Sequence, residues 1–156
     1  MSKIHEDKAV EYYSHNFNCS QAVFTTYATE RGIDEKLALR IATNFGGGAR
    51  KGEMCGAVSG ALMVLGLLYG HSESTDVDTK ARSYRMTEEY MNRFIERNGS
   101  VVCRELLGYD LSKPHEREEI VKKNLFRTLC PEMIRSADSI LDELIEDKHI
   151  CRIRRN

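Results

Sequence analysis

The run Cys130-Pro131-Glu132-Met133-Ile134-Arg135-Ser136-Ala137-Asp138-Ser139-Ile140-Leu141-Asp142-Glu143-Leu144-Ile145 decides the fold class. Its apolar residues Met133, Ile134, Ala137, Ile140, Leu141, Leu144 and Ile145 recur at three- and four-residue spacing, which places them on one face of a helix. Pro131 suits a first helical position, where its missing N–H costs nothing, so Cys130 is the predicted N-cap.

Upstream, the same period recurs. A first helix is predicted from about Lys3 to His15, with Ala9, Val10 and Tyr13 on one side. Asn18 is a good N-cap for a second helix that opens at Cys19, carries Ala22, Val23, Thr26 and Tyr27, and stops at Gly32. Asp34 caps a third, with Leu37, Ala38, Ile41 and Ala42. A fourth runs from Met54-Cys55 to Gly70, and a long charged fifth from Asp76 or Asp78 to Asn98-Gly99. Ser100 is read as the cap of a short segment stopped by Gly108, and Lys113-Pro114 as the opening of a polar helix to Leu125 or Phe126. No alternating strand pattern, repeat or linker interrupts these segments. The expectation is an all-α, single-domain bundle of about six to seven helices over residues 1–156.

The 156 residues suffice to bury one core without disulfides or metal. A net charge of −1 argues against a general nucleic-acid binder. The basic run Arg152-Ile153-Arg154-Arg155 reads as a solvated end. The start Met1-Ser2-Lys3-Ile4-His5-Glu6-Asp7 lacks an apolar leader segment, and the longest apolar stretch, Ala57 to Tyr69, is short of the ~20 residues a membrane span needs. The expected compartment is the cytoplasm.

The five cysteines, Cys19, Cys55, Cys103, Cys130 and Cys151, contain no CxxC pair, so any redox or metal centre must be assembled by the fold. On the helix map the first four fall in first turns: Cys19 at the first position, Cys55 in the first turn, Cys103 three residues after Ser100, Cys130 at the cap. Free N–H groups and the helix dipole there favour a thiolate. A lone cysteine also packs well as a small apolar residue. Cys151 follows the last apolar position and reads as incidental.

Gly46-Gly47-Gly48-Ala49-Arg50-Lys51-Gly52 fails as a P-loop because Glu53 follows Gly52, and it fails as a dinucleotide fingerprint. It is either a plain turn or a loop that brings Arg50 and Lys51 to Cys55, which would make Cys55 the most acidic and accessible thiol. Gly56, Ser59 and Gly60 form a smooth face on the fourth helix, for tight helix packing or for a cofactor. His5, His15, His71, His115 and His149 form no metal pair and read as surface residues, and the acidic pairs as solvated helix faces.

Phe17-Asn18-Cys19-Ser20-Gln21-Ala22-Val23, Phe45-Gly46-Gly47-Gly48, Cys55-Gly56-Ala57-Val58-Ser59-Gly60-Ala61-Leu62, Cys103-Arg104-Glu105-Leu106-Leu107-Gly108 and Cys130-Pro131 together resemble the C_GCAxxG_C_C family of redox-active cysteine-cluster proteins. The resemblance spans roughly residues 8 to 145 and maps the four defining cysteines onto Cys19, Cys55, Cys103 and Cys130. It implies a redox role, by thiol–disulfide exchange or electron transfer, and a relation to the cysteine-bearing domain of split-Soret cytochromes. Covalent c-type haem is excluded by the lack of CxxCH. Two alternatives stand beside it. The same four thiolates would ligate an iron–sulfur cluster or zinc, or the cysteines are only packed in a binding module. The expected partners are a redox protein or a small thiol, with a homodimer open as the assembly state.

Overall fold

The computed structural model describes the backbone of residues 2–153 and the side chains of residues 3–148. Among the described residues the chain is all helix apart from turns and one isolated antiparallel bridge, Met54 with Val102. In chain order the helices are α1 (Ser2–Ser14), α2 (Cys19–Glu30), α3 (Glu35–Ala42), α4 (Gly56–Tyr69), α5 (Val77–Asn98), α6 (Cys103–Leu107), α7 (Pro114–Lys122), α8 (Leu125–Thr128) and α9 (Cys130–Ile153). Among the described residues no helix is long and apolar enough to cross a membrane.

The predicted punctuation holds at most joints. Asn18 and Gln21 form a reciprocal capping box, the Asn18 side chain accepting from the Gln21 N–H and the Gln21 side chain from the Asn18 N–H, both at 2.9 Å. Asp34 caps α3 and Asp76 caps α5. Gly99 and Gly108 end their helices in the left-handed conformation.

Three joints differ from the prediction. Ser100 is not the cap of α6: Val102 is, so Cys103 takes the first helical position, while the Ser100 hydroxyl accepts from the Val102 N–H at 2.9 Å. Cys130 lies inside α9 rather than before it, and the Met133 N–H reaches back to the Leu129 carbonyl at 3.1 Å. The single polar helix expected after Lys113 is two, because Asn124 turns left-handed at φ 56° between them. The all-α expectation holds, and among the described residues two short helices, α7 and α8, stand where one was expected.

Two apolar clusters result. The larger unites α1, α2, α4, α5 and α9 around Val23, Leu65, Tyr90, Phe94, Ile134, Ile140 and Leu144. The smaller gathers Cys103, Leu107, Leu111 and Ile120, with Leu125, Phe126, Leu129 and Cys130 against it. At Gly60 the backbones of α2 and α4 approach closely: a Cβ there would stand 2.9 Å from the Ser20 carbonyl oxygen. The smooth face of α4 thus serves helix packing. On α3, Ala38 and Ala42 are buried, but Leu37 and Ile41 of the predicted apolar face remain about half exposed.

The larger core also holds polar groups that the sequence reading placed at the surface. His5 is buried, its Nδ1 2.7 Å from Asp142 and its Nε2 3.1 Å from Glu30. The Tyr27 hydroxyl donates to the same Asp142 at 3.0 Å. The Asp142 hydrogen bond, opposed by burial and aided by the Asp142 and Glu30 charges, holds the His5 pKa above its usual 6.5. Because the folded value exceeds the unfolded one, the stabilisation is present in full below about pH 6.5 and is lost as pH rises through the folded value. His5→Gln is therefore expected to cost about 1.5–3 kcal/mol near pH 5.5, the range for hydrogen bonds to charged groups, and less at pH 9. Denaturant unfolding of both proteins across that range checks it; a gap that widens with pH contradicts the pairing.

Candidate functional site

Cys19, Cys55, Cys103 and Cys130 line one cavity of about 740 Å3, at the seam between the two apolar clusters. All four are free thiols; Cys55 and Cys103 are buried, while Cys19 and Cys130 are partly exposed. Each stands at the start of a different helix, so the cavity is where four helix N-termini meet.

Local sequence explains the convergence. The capping box fixes Cys19 at the first position of α2. The Asn18 side-chain amide also donates to the Thr43 carbonyl at 2.7 Å, which ties the chain entering the glycine loop to that helix start. Within the loop Gly47 adopts φ 64°, a conformation glycine takes at little cost, and this turns its N–H toward the Cys19 sulfur. Gly56 opens α4 directly against Cys19, and its lack of a side chain is what leaves room for the sulfur. Cys55 and Cys103 are tied together by backbone. The Cys55 N–H donates to the Val101 carbonyl at 2.7 Å and the Cys103 N–H to the Glu53 carbonyl at 2.6 Å, one on each side of the Met54–Val102 bridge.

Cys130 faces Tyr13 of α1, whose hydroxyl donates to the Phe126 carbonyl at 2.7 Å; turned to Cys130 instead, that one proton would lower the thiol's pKa.

The electrostatics make Cys19 the hub. Burial raises its pKa, and four backbone N–H groups oppose that rise, those of Gly47, Ser20, Cys19 itself and Gly56. Burial pushes Cys130 up to about 11, with the Cys19 charge adding to the rise. Burial pushes Cys103 up to about 12, with Cys19 and Cys130 adding and Arg50 opposing.

Cys55 departs from the expectation that it is the most acidic and accessible thiol. Burial lifts it well above the ordinary range, the Cys19 charge adds, and the Ala57 and Val58 N–H groups oppose. Its side chain is 7% exposed. The cation of the glycine loop acts elsewhere: Arg50 lowers Cys103. Proximity in sequence misled because the loop folds back through left-handed residues at Gly47, Gly48, Ala49 and Arg50.

Four thiols suit zinc or an iron–sulfur cluster by donor chemistry. Yet among the described residues no group of three His, Cys, Asp or Glu side chains is placed to hold a metal ion.

Cys151 lies in the backbone of α9, not in a tail beyond it, and its side chain, like those of His149 and Arg152, is outside the described residues; Arg154 and Arg155 lie wholly outside them. The cavity also draws on Tyr13, read from sequence only as part of the inner face of the first helix, and on Arg117 and Arg127, which were not singled out. Tyr13 stands four residues after Ala9 on the inner face of α1, a signal the sequence did carry. The two arginines sit in polar helices whose apolar pattern is too weak to show which way they face.

Comparison with curated proteins and with solved structures gives no match. A family model described as "Putative redox-active protein (C_GCAxxG_C_C)" matches residues 17–144. That interval contains all four cavity cysteines and most of the helices, and the chain belongs to the C_GCAxxG_C_C family.

Proposed function

We propose that this protein is a thiol redox protein in which Cys19, Cys55, Cys103 and Cys130 cycle between dithiol and disulfide inside the shared cavity. The observation that carries this reading is that one cavity, large enough for a small molecule, is lined by four free thiols from four separate helix starts. Cys19 is the attacking thiol in this scheme, because it is partly exposed and has the most backbone N–H groups supporting its thiolate. Its thiolate attacks an incoming disulfide, forming a mixed disulfide and releasing one thiolate. A second cavity cysteine, deprotonated as it attacks, displaces the other. The protein gives up two electrons and two protons, and the substrate leaves as two thiols. A redox protein or a small thiol would restore the dithiol.

The test is site-resolved alkylation of the reduced, chelator-treated protein near neutral pH, read by peptide mass spectrometry. Cys19 should label faster than Cys55, and exposure to an excess of small disulfide should remove two titratable thiols from the cavity set. Cys19→Ser should slow that loss by about a hundredfold or more, the range for removing a catalytic nucleophile. Unchanged kinetics in Cys19→Ser would transfer the role to another cysteine. Four thiols inert to every disulfide tried would end the redox reading. Anaerobic purification with metal analysis addresses the zinc or iron–sulfur alternative: a bound metal would protect all four cysteines together until it is removed.

A further inference from the structure

The charge on the cavity wall does not match the charge of the protein. The chain carries 24 acidic and 23 basic residues, yet the cysteine cavity is lined by Arg50, Arg117 and Arg127 and by no aspartate, glutamate or lysine. The three arginines come from three elements: the glycine loop, α7 and α8. Among the described residues none of the three guanidinium groups has a carboxylate within ion-pair distance.

A neighbouring open groove shows the contrast. It is lined by Lys51, Glu53, Arg104, Asp110, Lys113 and Glu116, and there cations meet anions of the protein itself, Arg104 with Glu53 at 3.0 Å and Lys113 with Glu116 at 3.2 Å. On helix surfaces elsewhere Arg93, Arg97 and Arg135 pair with acidic side chains, while among the described residues Arg40, Arg82 and Arg85 have no carboxylate within ion-pair distance. What sets this wall apart is three arginines converging on one cavity that has no acidic lining. Three unpaired arginines around a single cavity leave a planar, multi-donor recognition surface for an anion from outside.

We infer that the cavity takes a small organic anion, specifically a low-molecular-mass disulfide or thiol bearing carboxylates, with the carboxylates on Arg50, Arg117 and Arg127 and the sulfur directed to the cysteines. The sulfur half of this rests on the redox reading above; the anion half does not. In the exchange step the bound disulfide accepts two electrons from two protein thiols and departs as two thiols, its carboxylates unchanged.

The experiment separates the two halves. For binding, suberate, octanediol and diaminooctane are compared as ligands of the reduced protein by thermal shift; they share a chain and differ in end charge. Suberate alone should raise the melting temperature. Arg50→Gln, Arg117→Gln and Arg127→Gln should each reduce that shift, whereas Arg31→Gln, an exposed arginine outside the cavity, should leave it unchanged. The replaced arginines are exposed, so the variants should fold, and the octanediol baseline checks that each does.

For exchange, dithiodipropionate, hydroxyethyl disulfide and cystamine are compared, each rate normalised to that with free cysteine. The dianion should react about tenfold faster than the neutral disulfide, the low end for electrostatic focusing, and the preference should fade as salt is raised. No selective shift with suberate overturns the anion site, whatever the thiols do. A suberate shift with no reaction of any disulfide retains the anion site and removes both the redox reading and the sulfur-bearing ligand. Equal normalised rates for the three disulfides overturn the proposed substrate class.

Discussion

Asparagine in place of Asp138 makes this protein more stable at neutral pH, by ~2–4 kcal/mol, and the gain shrinks toward zero near pH 4. Asp138 stands on α9 at 0% exposure, and neither of its carboxylate oxygens has a hydrogen-bond partner. Burial, followed by the charges of Asp142 and Glu6, lifts its pKa well above the ordinary carboxylate range, which favours the neutral acid in the folded protein. In the unfolded chain it ionises above about pH 3.9. A folded value above the unfolded one gives stability that is complete at low pH and is lost as pH rises, by up to ~1.4 kcal/mol per unit. Asparagine keeps the shape and removes that slope. Urea unfolding of both proteins from pH 4 to pH 8 is the measurement. A difference that does not change with pH, or an asparagine variant that is weaker throughout, would show that Asp138 is ionised and satisfied in the folded state.

Gly56→Ala should have the opposite sign. Alanine is better than glycine by about 1 kcal/mol in a helix, so propensity alone predicts a gain. At this position the added Cβ falls on the Cys19 sulfur and crowds the Phe45 carbonyl at 3.1 Å. Overpacking of this kind typically costs ~1–3 kcal/mol. The displaced sulfur should also lose its N–H contacts and with them its fast labelling. The diagnostic is the double variant Cys19→Ala/Gly56→Ala, which removes the atom in the way. It should recover most of the lost stability, so that the two substitutions are strongly non-additive. Additive losses would mean that the space at Gly56 serves something other than the sulfur.

These two positions show how differently the chain reveals itself. The helices and their caps were readable because each depends on a few adjacent residues: Asn18 before Cys19, Asp34 before α3, Gly99 and Gly108 at helix ends. The placing of four cysteines at helix starts was readable for the same reason. What lay beyond reach depends on contacts distant in sequence. Asp138 and Asp142 sit four apart on the face that also carries Ile134, and a carboxylate there reads as a solvated face until His5 and Tyr27 arrive from α1 and α2 to meet Asp142. His5 stands four residues before Ala9 and so shares its face, a signal that the reading of His5 as a surface residue passes over, and nothing local names its partners. Cys55 was misjudged for a related reason. Of its neighbours in sequence, Lys51 is turned to a different groove and Arg50, though on the same cavity wall, acts on Cys103, while the N–H groups collect on Cys19. The Cys103 helix start was displaced because Ser100 bonds the Val102 N–H in a tight turn and does not cap the helix.

The dispersal of the four cysteines along the chain has a thermodynamic consequence. Each pair of sulfurs is separated by tens of residues, and they are neighbours only because the helices between them have folded. A cross-link between any two would close a long loop in the unfolded chain, which such a link disfavours by ~3–5 kcal/mol. Linkage then runs both ways. A disulfide formed there would make the fold harder to melt, and the fold would make that disulfide harder to reduce, by ~30 mV for each 1.4 kcal/mol. A newly made chain has no such proximity among its thiols. If the cavity cysteines form the proposed couple, it would come into existence with the tertiary structure, and its potential would report whether the domain is folded.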